Sequence, residues 1–370
     1  MNILHLSDLH FGTRSDAENW YSQLADDLFH ELKCTQLDLL ILSGDVANRA
    51  IPEEYAAAEC FLRSLCREFN LSSEQMVIVP GNHDVNWSIA KRAYTPMRRE
   101  EYMDLLGENG APDENYAIDK GEFVEVQDPK KYKERFKSFS TFYSTITGSP
   151  YPLDYEEQAI LHHFPTRNLL VLGLNSAWQL DHHYRSRASI HPNALSGVLT
   201  DIRQNPQVYG QCLKFAVWHH PLHNAGDDHI SDMSFMQRLA QAGFCAAFHG
   251  HVHKAHADLY RYDINISGRR ANIICAGTFG APTRQWTPGY PLQYNLLRIE
   301  GARLIVETRC RREPNGAWKP DAIWTQGPGR DPLPRYEIVL PEATDTEPDL
   351  KTIPSRDVTY LLNIPGQPPF

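Results

Sequence analysis

The feature that most constrains the fold is a regular alternation of short apolar runs with amphipathic helical patterns near the start of the chain. The apolar runs have the length of buried strands, and the segments between them repeat apolar residues at helical spacing. In chain order these segments are 2–7, 18–33, 37–43, 53–69 and 76–80. Strands that alternate with helices form βαβ units with parallel strands. The sequence therefore predicts an α/β protein.

The second half of the chain adds two kinds of pattern. Apolar runs of strand length resume at 169–175 and 212–220, with a helical pattern between them. After His253, apolar runs follow one another with no helical pattern between them. Parallel strands need a long crossover connection, so this last region favours antiparallel pairing.

Polar clusters rich in Asp, His and Asn come directly after five of the predicted strands. In chain order they are Asp8-Leu9-His10, Gly44-Asp45, Gly81-Asn82-His83-Asp84, His219-His220-Pro221 and Gly250-His251-Val252-His253. Ligands of open α/β sheets bind outside the carboxyl ends of the strands. The five clusters are therefore expected to meet in one crevice.

The residue types in these clusters favour a transition-metal site. Imidazoles mixed with carboxylates and an amide suit Mn, Fe, Zn or Co better than an all-oxygen Ca or Mg site. Seven candidate ligands are too many for one ion, whereas two ions that share a carboxylate, about 3.5–4 Å apart, would use them all. At the His-His-Pro cluster, either His219 or His220 could serve as the ligand.

The five clusters, read in order as DLH, GD, GNHD, HHP and GHVH, resemble the motifs of the calcineurin-like metallophosphoesterase superfamily. The resemblance covers roughly residues 1–310, and five ordered motifs are far more specific than any one of them. It implies a two-sheet β-sandwich flanked by helices, an αββα fold of four layers. The strands after residue 257 would belong to the second sheet.

The resemblance also implies a role for each matching residue. Asp8, His10 and His253 would hold one ion, Asn82, His219 and His251 would hold the other, and Asp45 would bridge them. His83 would contact the phosphate and assist the leaving group, and Asp84 would orient the His83 ring. The implied ions are two transition metals, with Mn first and Fe, Zn or Co as alternatives.

The reaction implied is hydrolysis of a phosphoester, more specifically of a phosphodiester, by a hydroxide that the two ions share. One alternative is a Mn-dependent DNA or RNA nuclease. The net charge of −10 counts against a long duplex substrate, because such proteins usually carry a basic face. The other alternative is a non-catalytic scaffold, which would be marked by lost ligands, whereas here every ligand position is filled.

Several histidines lie outside the motifs. His182, His183 and Arg185 form a polar loop after a predicted strand and are candidate substrate-binding residues, since Arg matches phosphate oxygens well. The alternative for this loop is an exposed polar connection. His249 is expected to be buried beside the site, and His256 is expected on a sheet surface.

The chain is predicted to form one domain over residues 1–340. Within it, residues 86–160 interrupt the strand and helix alternation and are predicted to be a helical insertion that caps the site. Residues 341–370 are rich in Pro, Asp, Glu and Thr and are predicted to be a tail or linker. The insertion and the tail are candidate contacts for a protein partner or for oligomerisation.

The cellular compartment expected from the sequence is the cytoplasm. Seven scattered cysteines without a C-x-x-C pair argue against a disulfide framework and against a thiolate zinc site. The start of the chain lacks the charged and apolar regions of a secretion signal. No apolar run is long enough to cross a bilayer, so no membrane partner is expected.

Overall fold

A computed structural model describes residues 1–106, 117–223, 228–263, 268–280, 290–313, 315–326 and 329–341 of the chain. Its strands are β1 (Asn2–Leu6), β2 (Leu39–Leu42), β3 (Met76–Ile78), β4 (Tyr94–Arg98), β5 (Ala117–Asp119), β6 (Phe123–Gln127), β7 (Ala159–Phe164), β8 (Leu169–Leu174), β9 (Leu213–Val217), β10 (Phe244–His249), β11 (His256–Arg261), β12 (Arg270–Cys275), β13 (Leu292–Glu300), β14 (Arg303–Arg311), β15 (Lys319–Pro320) and β16 (Arg335–Val339).

The α-helices are α1 (Arg14–Asp26), α2 (Pro52–Glu68), α3 (Trp87–Arg92), α4 (Arg99–Leu106), α5 (Pro129–Lys133), α6 (Lys137–Thr147), α7 (Pro192–Gln204), α8 (Pro206–Tyr209) and α9 (Ser234–Gln241). A π-helical turn, Asp27–Glu31, extends α1, and short 3₁₀ turns occur at Ser73–Gln75, Glu134–Phe136, Tyr155–Glu157 and Pro165–Arg167. Among the described residues, none of these helices is both long enough and apolar enough to span a bilayer.

The first large sheet has the strand order β15-β14-β13-β1-β2-β3, with β16 also paired to β14. Strands β1, β2 and β3 are parallel, as the βαβ pattern predicts, and β13 joins β1 in antiparallel orientation. The second large sheet has the order β11-β12-β10-β9-β8-β7, in which β8, β9, β10 and β12 are mutually parallel.

The expectation that all strands after residue 257 join one sheet is wrong. Strands β11 and β12 extend the second sheet, whereas β13 and β14 extend the first. The antiparallel pairing of β11 with β12 and of β13 with β14 is confirmed. The chain changes sheets between β12 and β13. Most of that connection is residues 281–289, which lie outside the described part of the chain.

Three apolar clusters show the order of the layers. Strand side chains alternate between two faces, so Leu4 of β1 packs toward α1 and α2, whereas Ile3 packs toward the second sheet. The outer face of the second sheet packs on α7 and α9, for example through Trp218 beside Phe235. The four layers are therefore helices, sheet, sheet and helices, which confirms the predicted fold class.

The expectation that segment 86–160 is helical is wrong in part. It contains a third, antiparallel sheet with the order β4-β6-β5. Its strands are short, and β4 carries Pro96, which an edge strand tolerates. Helix α6 is not part of a cap, because Phe139 and Phe142 are buried against α2 in the main core.

Candidate metal centre

The ends of the parallel strands bring the five polar clusters together, as expected. Each cluster lies in a tight turn after its strand, and five of the proposed ligands have a left-handed backbone with positive φ. These five are Asp8 (52°), His10 (47°), Asp45 (54°), His251 (70°) and His253 (60°). Such conformations are uncommon for residues other than glycine and persist where the surrounding structure enforces them, often at functional sites.

Two glycines of the motifs let the backbone lie very close to the carboxylates of Asp45 and Asp8. A Cβ atom on Gly81 would lie 2.1 Å from Asp45 Oδ1, and one on Gly250 would lie 2.5 Å from Asp8 Oδ2. Real Cβ atoms do not come this close to other atoms. The glycines therefore let each neighbouring strand end pack directly on a carboxylate ligand.

Four acceptor atoms converge on one side of the centre. His219 Nδ1 donates to the Ser43 carbonyl at 2.7 Å, which leaves the Nε2 lone pair facing inward. This Nε2 lies 3.2 Å from Asp45 Oδ2, 3.1 Å from Asn82 Oδ1 and 3.3 Å from His251 Nδ1. Lone pairs that face one another repel, so the cluster needs a cation, either a proton or a metal ion, between its atoms.

The electrostatics of His219 agree with this need. Burial alone would lower the pKa of its imidazole, but the Asp45 and Asp8 carboxylates outweigh burial and raise the pKa to about 9. Burial likewise opposes ionisation of Asp45, yet the His219 and His83 rings hold the Asp45 pKa well below its ordinary value. The ionised carboxylate and the cation that it attracts stabilise each other.

Asp8, His10 and His253 form the other side of the centre. One ligand atom from each of the three lies within 4.8 Å of the others. Asp8 Oδ2 accepts from the His251 backbone N–H at 3.0 Å, whereas Asp8 Oδ1 and both ring nitrogens of His10 are buried without a hydrogen-bond partner. Burial lowers the pKa of His10 to about 4, so the ring is neutral and has a free lone pair. Unpartnered buried atoms of these types fit a metal ion.

Asp45 lies between the two sides. Its Oδ2 atom contacts His219, and its Oδ1 atom accepts from the His83 backbone N–H at 2.8 Å. One ligand atom each from Asp45, His10 and His83 also lies within 4.8 Å of the others. This position fits a carboxylate shared by two ions.

The His83 ring lies at the edge of the centre, and its Nδ1 donates to the Asn48 carbonyl at 2.7 Å. The expectation that Asp84 orients this ring is wrong, because the Asp84 carboxylate accepts instead from the backbone N–H groups of Val46, Ala47 and Gly81 and from the Tyr55 hydroxyl. Burial and the nearby Asp45 charge raise the Asp84 pKa to about 6. Asp84 therefore fixes the turn that presents Asp45.

Two further residues belong to the centre: Asp228, which the sequence interpretation missed, and His220, which it left open as an alternative ligand to His219. Asp228 Oδ2 accepts from His251 Nε2 at 2.9 Å, which leaves His251 Nδ1 as the ligand atom. His220 Nδ1 contacts Ser176 Oγ at 2.8 Å, and the His220 ring offers a ligand atom within 4.8 Å of those of His219 and His251. The acidic run after the His-His-Pro motif was the available signal for Asp228.

A cleft of about 340 Å³ opens over the centre. Its walls are formed by Asn82, His83, Trp87, Arg185, His220, Asp228 and His251. Arg185 lies over the Trp87 ring, with 5.8 Å between the guanidinium carbon and the ring centroid. Of the three candidate substrate-binding residues, Arg185 reaches the cleft, whereas His182 and His183 pack on Tyr94 and are absent from its walls.

The expected positions of His249 and His256 are confirmed in part. His249 is buried, and its Nδ1 donates to the Gly250 carbonyl at 3.0 Å. His256 is half-buried on β11, where its Nε2 lies 3.5 Å from Asp258. Neither residue contacts the ligands of the centre through a hydrogen bond that the structure shows.

The comparisons with known proteins agree with the motifs. A family model for calcineurin-like phosphoesterase matches residues 1–255. The chain belongs to this family, whose members include metal-dependent phosphoester hydrolases.

A relative from Bacillus subtilis (strain 168), the uncharacterized metallophosphoesterase-like protein YydB, is 24% identical over 177 residues. That match covers 48% of this chain and 33% of the relative, so the chain spans about a third of the length of that protein.

Solved structures similar to the chain include a Vps29 single mutant from Entamoeba histolytica, with 11% identity and a TM-score of 0.35 over 86% of this chain and 97% of that one. Another is GAP50 from Plasmodium, the anchor in the inner membrane complex, with 10% identity and a TM-score of 0.41 over 84% of each chain.

Proposed function

We propose that the chain is a phosphodiesterase with a centre for two transition-metal ions, of which Mn is the first candidate. The observation that supports this most is the convergence of His219, Asn82, Asp45 and His251 through acceptor atoms alone, next to the unpartnered atoms of Asp8 and His10. When bound, two such ions supply a water of lowered pKa and neutralise charge on phosphoryl oxygens.

The chain's own residues would position and protonate the substrate. The His83 Nδ1–H is held by the Asn48 carbonyl, so in the imidazolium form the Nε2–H is free to donate to a leaving oxygen in the cleft. Arg185 on the cleft wall would bind a non-bridging phosphate oxygen, as a guanidinium does well. Trp87 beside it offers an apolar face for the ester substituent.

The preference for diesters over monoesters is supported by the charges around the cleft. Asp228 lines it, and among the described wall residues Arg185 is the lone residue with a permanent positive charge. A phosphodiester carries one negative charge and a monoester up to two, so a cleft wall with a single guanidinium and a carboxylate suits the diester better.

The test is a substrate panel with Mn²⁺: bis-p-nitrophenyl phosphate, p-nitrophenyl phosphate, cyclic nucleotides and short single-stranded DNA. We expect the highest kcat/KM with one of the diesters. Activity confined to p-nitrophenyl phosphate would contradict the diesterase assignment. A preference for DNA over the small diesters would identify the nuclease alternative, and inactivity with every ester at saturating metal would favour a scaffold.

A further inference from the structure

A second group of metal-ligand side chains lies where the small sheet meets the loop after β8. It consists of Glu125 on β6 and of His182 and His183 in the loop. One ligand atom from each of the three residues lies within 4.8 Å of the other two. None of the three belongs to the centre at the strand ends or to the walls of its cleft.

The three side chains share an unusual hydrogen-bonding state. Glu125 Oε2, His182 Nδ1 and His183 Nε2 are all buried atoms without a hydrogen-bond partner. His183 Nε2 lies only 2.8 Å from Glu125 Oε2, yet the contact lacks the angles of a hydrogen bond. Side chains that pair directly align N–H with oxygen. Atoms that face a common ion approach each other without that alignment.

A rigid frame holds the group. Asp181 is fully buried, and its carboxylate accepts from the hydroxyls of Tyr94 and Tyr132 and from the backbone N–H groups of His183 and Tyr184. The Tyr94 ring packs edge-on against His182 and His183, with centroids 5.2 and 4.9 Å apart. The unpartnered atoms therefore cannot be explained by a loosely held loop.

The electrostatics of His182 and the donor types of the group suit a metal. Burial, with a smaller contribution from the neighbouring His183, lowers the pKa of His182, which favours the neutral ring with its free lone pair. Two imidazoles and one carboxylate form a donor set that Zn²⁺ and similar divalent transition ions take with a water as the fourth ligand.

We propose that Glu125, His182 and His183 form a separate binding site for a divalent transition ion of the Zn²⁺ class. The ion would join the small sheet to the loop that carries Arg185, the guanidinium on the wall of the cleft. The arrangement of the cleft wall would then depend on an ion that takes no part in the chemistry.

The test counts metal ions. The purified protein is saturated with Zn²⁺, freed of excess metal by gel filtration and analysed for zinc per chain. We expect Glu125→Gln and His183→Ala to hold one zinc fewer than the wild type. Glu122→Gln, an exposed carboxylate in the same hairpin, is the matched control and should hold as many as the wild type.

Thermal unfolding with and without Zn²⁺ is the second measurement, and it shows whether the variants are folded and whether Glu125 is needed for stabilisation by zinc. Added Zn²⁺ should raise the Tm of the metal-free wild type and of Glu122→Gln by more than that of Glu125→Gln, whose far-UV circular dichroism should match the wild type. Equal zinc content in the wild type, Glu122→Gln and Glu125→Gln would overturn the proposal. Glu125 and His183 would then be a simple ion pair.

The difference of one zinc does not depend on how many ions the strand-end centre holds. A count of two in the wild type and one in Glu125→Gln would contradict the two-ion centre and leave this site standing. A count of two zinc ions in both proteins would agree with the two-ion centre and would overturn the separate site. The two proposals can therefore fail separately.

Discussion

The strand-end centre and the group on the small sheet both gather histidines and carboxylates, but they are built in different ways. At the centre, five ligands have a left-handed backbone, and glycines such as Gly81 and Gly250 leave room for the carboxylates. At the small sheet, ordinary strand and loop residues meet across a tertiary contact. Ligands in strained turns need particular neighbours such as glycine, so they form a sequence motif that can be recognised. Ligands that meet only through contact between distant segments form no such motif.

The largest effect is expected from Asp45→Ala, because one carboxylate serves both sides of the centre. Loss of the shared ligand should remove about 5 kcal/mol of transition-state stabilisation, or about 10⁴-fold in kcat/KM. Steady-state kinetics with bis-p-nitrophenyl phosphate measure it. His256→Ala is the control and should stay near the wild type. Equal losses in both variants would show that the assignment of the centre is wrong.

His83→Gln is expected to come next. It removes the ring that would protonate the leaving oxygen, and general-acid groups contribute about 10²–10⁴-fold. The loss should be large for an alkyl or nucleoside leaving group and small for p-nitrophenolate, which departs without a proton. A comparison of kcat for the two ester types tests this. The same loss for both types would mean that His83 acts by binding and not as an acid.

Gly81→Ala should have a smaller effect on activity. The new Cβ would lie 2.1 Å from Asp45 Oδ1, so the carboxylate must move, and a displacement of about 1 Å can cost about 10²-fold. Gly197→Ala, on α7 with nothing within 4 Å of its Cβ, is the matched control and should be neutral. Wild-type kinetics in Gly81→Ala would show that the close packing at Asp45 is not needed.

The smallest effect is expected from removal of the small sheet. Tyr94 and Gln127 are cross-strand partners, and the Ala93 carbonyl accepts from the Asp128 N–H at 2.8 Å, so an Asn-Gly turn can replace residues 95–126. If the sheet restricts the cleft, kcat/KM for bulky diesters should rise relative to bis-p-nitrophenyl phosphate on the order of tenfold, about 1.4 kcal/mol. An unchanged ratio in a folded, metal-loaded variant would leave the sheet a structural or partner-binding role.

The sequence predicted the parts of the fold that repeat a pattern. Buried runs such as 39–42 are apolar at every position, and their strand ends carry the motif residues, so both the sheets and the centre could be foreseen. The small sheet could not, because β4 contains Pro96 and β5 has only three residues. The alternation of Val124, Glu125 and Val126 was a usable signal there.

The contacts of Asp84 and Asp228 could not be read from the sequence for another reason. Each depends on which atom of a neighbouring segment lies within hydrogen-bonding reach, such as the Asn48 carbonyl that takes the place expected for Asp84 beside His83. The switch of β13 to the first sheet is likewise decided by pairing with β1, which places Asn2 opposite Arg298. Spacing along the sequence carries no information about such contacts.

The most direct test of the two-ion centre is the metal content of the Glu125→Gln protein after saturation with Mn²⁺, since this variant removes a ligand of the proposed separate site on the small sheet. Two Mn²⁺ per chain are expected, and Asp45→Ala in the same background should bind both ions more weakly. A reproducible single Mn²⁺ per chain at saturation would contradict the two-ion centre.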